Sequence, residues 1–142
     1  MRKIVLILAV TLMLLASITL IGCSCKADIP SGSTTYVLES IEPNNVGVTM
    51  GSISEFTISL NTDYNTYVVL FKAQGMPVYT TEVGTYGING SSITFTKSDG
   101  GTIISEGLNF NSKDGTITVA CLQRGSAETY TAVFKKSLTS TS

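Results

Sequence analysis

The chain has 142 residues, enough for one domain with one modest core. It holds no histidine, which removes Ser-His and Cys-His catalysis and the commonest zinc ligand. Nine basic and ten acidic side chains are spread without blocks, so no basic stripe offers nucleic acid a binding face.

The first segment carries the sharpest signal. Arg2 and Lys3 form a basic head, residues 4–21 are apolar except for Thr11, Ser17 and Thr19, and Gly22 precedes Cys23. A basic head, an apolar run and a small residue before a cut site make an export signal. The alternative is an uncleaved span, since the run sits at the short edge of the roughly 17–25 residues that crossing requires. Either way the positive head stays on the cytoplasmic side and the remainder lies outside the cytoplasmic membrane. The residues Leu20-Ile21-Gly22-Cys23 resemble the lipobox of bacterial lipoproteins. That resemblance implies cleavage of the signal peptide 1–22, a lipid on Cys23 and attachment to a bacterial membrane. Two or more acyl chains anchor stably, at about 0.8 kcal/mol per buried CH₂.

Residues 23–33 read as the lipidated cysteine and a flexible tether, small and polar with Pro30 and Gly32. The folded domain is expected over 34–136, and 137–142, nearly all Ser and Thr, as a frayed tail. Without Arg2 and Lys3 the exported chain has seven basic against ten acidic side chains, a net charge of about −3. Cys25 lies in the tether. Alternation puts Cys121 on the core face with Ile117 and Val119. Export permits a Cys25–Cys121 disulfide, but an inward cysteine on a strand is badly aimed at a tether, so a buried free thiol is favoured.

From residue 34 onward almost everything reads as strand and turn. Phe56, Ile58 and Leu60 alternate with Thr57 and Ser59; Ile93 and Phe95 alternate with Thr94 and Thr96; Tyr130, Ala132 and Phe134 alternate with Thr131 and Val133. Period two marks half-buried strands. The stretch 67–71 is apolar on both faces and predicts cover on both sides. Turn residues recur at 61–65, 74–77, 89–90, 98–101, 112–115 and 123–126. Residues 44–54 fit a loop, a helical turn or a lid, with the loop favoured. The expected strands are 35–41, 54–60, 66–73, 78–87, 92–97, 102–110, 116–122 and 129–135. The fold class is therefore all-β: an up-and-down antiparallel meander of about eight strands, curled into a closed or nearly closed barrel that hides its edges. Gly84, Gly87 and Gly107 supply bends or bulges. The expected core is Phe56, Ile58, Leu60, Ile93, Phe95, Ile117, Val119 and Phe134.

The run from Val83-Gly84-Thr85-Tyr86-Gly87 through Asn89-Gly90 and Ile93-Thr94-Phe95-Thr96 to Asp99-Gly100 resembles small bacterial lipocalin-like lipoproteins. Residues 58–63 and 130–135 extend the likeness over about 36–136. It implies an up-and-down β-barrel, and lipocalin-type proteins hold small apolar ligands.

Little catalytic chemistry remains. Lys97-Ser98 and Lys136-Ser137 are sequence neighbours, which on a strand point apart. Asp63, Asp99 and Asp114 fall in turns, where aspartate bonds its own backbone. Solvation explains Glu55, Glu82, Glu106 and Glu128 near strand ends or on polar faces. Asn61, Asp63 and Asn65 alternate like the start of a calcium loop but lack its glycine and closing glutamate. The expectation is a non-enzyme without metal or cofactor, an extracytoplasmic binding domain held by lipid on Cys23. One reading is a barrel with a cavity for a small apolar ligand. The other is an interaction or inhibitor module with a filled barrel, acting on a protein through loops 43–53, 74–78 and 123–128. Convergence of Phe56, Tyr67, Tyr86, Phe95 and Phe134 would favour the second. Tyr64 and Tyr79 are the candidate binding residues, one in a turn and one at a strand start, because tyrosine offers rigid area with a polar tip.

Overall fold

A computed structural model describes residues 26–42, 49–98, 103–123 and 128–138. The signal segment, Cys23 and Cys25 lie outside these residues, as do parts of the loops at 43–53 and 123–128. Among the described residues no helix is long and apolar enough to cross a membrane.

The alternating segments form eight strands: β1 (Ser33–Glu42), β2 (Ile53–Asn61), β3 (Thr66–Ala73), β4 (Thr80–Asn89), β5 (Ser92–Lys97), β6 (Ile104–Asn111), β7 (Thr116–Leu122) and β8 (Thr129–Lys136). They make one antiparallel sheet in the order β5-β4-β3-β2-β1-β8-β7-β6. The first and last strands pair, with Leu38 opposite Phe134, so the meander curls. Its remaining edges, β5 and β6, meet where the Phe110 N–H donates to the Ser91 carbonyl at 2.8 Å. The result is a nearly closed up-and-down barrel, which covers edges that would otherwise invite pairing.

Two glycines let β5 fit between its neighbours. A Cβ on Gly84 would lie 2.1 Å from the Thr96 carbonyl oxygen, and one on Gly107 would lie 2.1 Å from that of Ile93. Only glycine allows such backbone approach. Register shifts at Leu38/Ser40 in β1 and at Gly107/Asn109 in β6 add the local twist that closure needs.

Inside, Phe56 meets Phe71 edge-on at 5.1 Å and Phe134 at 4.9 Å between ring centres. Tyr67 meets Phe95 at 4.9 Å. Of the expected core, all but Phe95 are buried. Phe95 faces inward but is only half-buried.

The piece favoured as a loop at 44–54 contains a 3-10 turn at Met50–Ser52, and β2 starts at Ile53. Ser52 Oγ accepts the Thr49 N–H at 3.0 Å and donates to the Thr49 carbonyl at 2.7 Å.

The outer wall of β2 and β3 is also buried: Thr57, Ser59, Val68 and Leu70 point away from the core yet lose nearly all exposure. The cover comes from residues 26–32. Lys26 bonds Glu55 at one end of β2, and the Ser31 carbonyl accepts from Asn61 Nδ2 at the other, at 3.2 Å. Ala27 and Ile29, alternate residues between these ties, are half-buried. The described part of the tether is thus a strap laid along β2, and the two-sided apolar stretch at 67–71 has its second layer.

Candidate functional site

The barrel has two rims. The first carries the connections β1–β2, β3–β4, β5–β6 and β7–β8; the second carries the turns β2–β3, β4–β5 and β6–β7. Tyr79 sits on the first rim and Tyr64 on the second, so the structure does not bring the two candidate residues together.

Tyr79 does not stand alone. Its hydroxyl donates to Glu55 Oε2 at 2.7 Å, and Lys72 Nζ and Lys26 Nζ stand over its ring at 5.1 Å and 5.7 Å from the centre. Lys26 also reaches Glu55 Oε1 at 3.0 Å. Cross-strand pairing explains the cluster, since Glu55 lies opposite Lys72 in the β2–β3 ladder. Burial pushes the Glu55 carboxyl up, but the bonds from Tyr79 and Lys26 outweigh it and the net shift is downward. The bond to Glu55 raises the Lys26 ammonium and the Tyr79 hydroxyl. The cluster is a charge-assisted clasp that holds the start of the strap. Beside the clasp, Met50, Met76 and Val78 are 44%, 50% and 41% exposed. Their two loops are joined by the Gln74 N–H on the Ser52 carbonyl at 2.9 Å. An open groove of about 180 Å³ runs from Met50 past Ile53 to Val37 and Thr57, where β1 leaves β2 for β8.

Tyr64, 74% exposed, stands at the tip of the β2–β3 turn. Asn61 Oδ1 accepts the N–H groups of Asp63 and Tyr64, both at 3.1 Å, which fixes the turn. This carboxamide oxygen serves two backbone donors. Asn111 repeats the device, accepting from Lys113 at 3.0 Å and Asp114 at 3.1 Å. Four residues after each asparagine the chain turns left-handed, at Asn65 (φ 52°) and Gly115 (φ 63°). Among the described residues no three side chains of metal-ligating type gather.

Sequence reasoning misplaced Glu82. Solvation does not explain it: the side chain is fully buried inside the barrel. It accepts from the Tyr67 hydroxyl at 2.9 Å and from the backbone N–H groups of Ile103 and Ile104 at 2.8 and 3.2 Å. The carboxylate replaces a strand partner where the chain enters β6. Parity was the available signal, because Glu82 shares a face with Gly84 and inward Tyr86. Cys121 is nearby, a buried free thiol. Burial pushes its thiol up to about 12, against the pull of a hydrogen bond with Tyr130. That thiol is protonated and unreactive at neutral pH.

Against family models, curated proteins and solved structures alike, the chain finds no match.

Proposed function

We propose that the protein is an extracytoplasmic lipoprotein, held to a bacterial membrane by lipid on Cys23, that binds a protein partner through its outer surface and performs no catalysis. The observation that carries the binding mode is the meeting of Phe56, Phe71 and Phe134 across the interior, with Tyr67 against Phe95 beside them. Rings in edge contact occupy the space a small apolar ligand would take. The buried polar groups there, Glu82 and Tyr67, bond to each other and to backbone, so they serve packing. These facts favour a filled barrel over a lipocalin-like cavity. The basic head, apolar run and Leu20-Ile21-Gly22-Cys23 support the anchor. Tyr64, large, rigid and exposed on a fixed turn, is the residue we assign to partner contact.

The test places a photo-crosslinking phenylalanine at position 64 in cells. Capture of one specific protein that excess wild type competes away and Tyr64→Ala does not supports the reading. Crosslinks only to bulk lipid, or catalytic turnover by the purified protein, contradict it. Cys23→Ser is expected to abolish lipid labelling and normal signal processing; unchanged labelling removes the anchor.

A further inference from the structure

We propose that the rim carrying Met50, Met76 and Val78 rests on the lipid bilayer, and that the strap 26–32 sets this orientation. The proposal rests on reading Cys23 as the lipid-bearing residue. The strap runs from Asn61, at the second rim, to Glu55, at the first. Followed backward, the chain thus leaves the barrel beside Tyr79. Cys23 precedes Lys26 by three residues, a reach of about 11 Å at the ~3.6 Å per residue of an extended chain. The second rim, at Asn61, is about 20 Å farther along β2 from Glu55, six residues on at about 3.3 Å each. A lipid on Cys23 therefore holds the first rim close to the headgroups, and the clasp of Glu55, Tyr79 and Lys26 keeps the strap from paying out.

The surface at that rim has matching chemistry. Met50, Met76 and Val78 project from two bonded loops. Lys26 and Lys72 stand over the Tyr79 ring, and their two ammonium groups face one carboxylate, Glu55. Apolar tips beside tyrosine and lysine suit the boundary between headgroups and acyl chains, where such side chains insert about 5–10 Å. The exposed acids Glu42 and Glu128 lie at the same rim outside the β2–β4 sector, at the end of β1 and before β8. The contact is thus the β2–β4 sector of the rim, and Tyr64 points away from the membrane.

The chain has no tryptophan, so Met76→Trp and Tyr64→Trp each give a single reporter. The lipidated full-length product is purified, the lipid on Cys23 is checked by mass spectrometry, and the protein is put into phosphatidylethanolamine–phosphatidylglycerol vesicles with brominated acyl chains. Met76→Trp emission is expected to shift blue and to be quenched several-fold more than that of Tyr64→Trp. Adding Met50→Glu and Val78→Glu to Met76→Trp is expected to restore emission with little change in melting temperature. With lipid confirmed on Cys23, equal quenching at the two positions, or none at Met76→Trp, overturns the docked orientation and leaves the anchor standing. An unmodified Cys23 overturns the anchor reading, and this orientation falls with it.

Discussion

The two rims of this barrel are held by opposite means. At the second rim two of the three turns are closed by their own sequence: Asn61 and Asn111 cap donors two and three residues ahead. At the first rim the chain entering β6 is held from inside the barrel by Glu82, which comes from β4 and lies 21 residues before Ile103. The clasp on the strap likewise joins Lys26 to Glu55 across 29 residues. Local chemistry leaves the second rim compact and self-sufficient. Long-range polar contacts leave the first rim with longer connections and exposed methionines.

That contrast can be broken at its strongest point. Glu82→Ala removes the acceptor that holds the buried N–H groups of Ile103 and Ile104. At about 1–3 kcal/mol for each buried unsatisfied group, a loss of at least about 2 kcal/mol is expected in denaturant unfolding. Glu82→Gln keeps an acceptor oxygen and should lose less. Equal losses in the two variants would mean that the carboxyl oxygen does not hold β6.

The same interior has a pH signature. A thiol raised from 9.0 to about 12 in the folded protein favours the neutral form. Its contribution to stability is full below pH about 9 and is lost as pH rises toward about 12. Burial likewise raises the Tyr130 hydroxyl, which adds to the loss on the alkaline side. Alkaline unfolding followed by circular dichroism should therefore begin later for Cys121→Ala than for wild type, and thiol reagents should modify Cys121 only after denaturation.

The second rim should yield smaller numbers. Asn61 is buried and also bonds the strap at Ser31, whereas Asn111 is half-buried and serves its own turn alone. Asn61→Ala is expected to cost about 1–2 kcal/mol and Asn111→Ala about 0.5–1 kcal/mol, the scale of lost side-chain caps. The reverse order would remove the strap from the account. The smallest effect has the opposite sign. Thr57 Oγ1 is buried in the strapped wall without a hydrogen-bond partner. Thr57→Val keeps the shape and deletes that hydroxyl, so a gain of up to about 1 kcal/mol in thermal stability is expected.

The fold was legible because each strand announces itself locally. Phe56, Ile58 and Leu60 alternate, Asn and Gly mark the turns, and the apolar stretch at 67–71 requires two covers. The eight strands therefore follow from the sequence to within a few residues at their ends. Burial that depends on a distant neighbour was not legible. Phe95 alternates like a core residue yet is only half-buried. Glu82 looks like a solvated acid until β6 brings two backbone donors to it. The partners of Tyr79, Glu55, Lys26 and Lys72, come from separate segments that only the fold brings together. Tyr64 needed only its own turn, and its exposure follows from the sequence.

The central claim is that the barrel is filled and acts through its surface. An NMR titration of the Cys23→Ser protein with a medium-chain fatty acid reads it most directly, because Ile58, Ile117 and Phe134 are wholly buried reporters of the interior. The account predicts no saturable shift at these three residues at any ligand concentration below that of micelles. A saturable one-to-one change centred on them would contradict it.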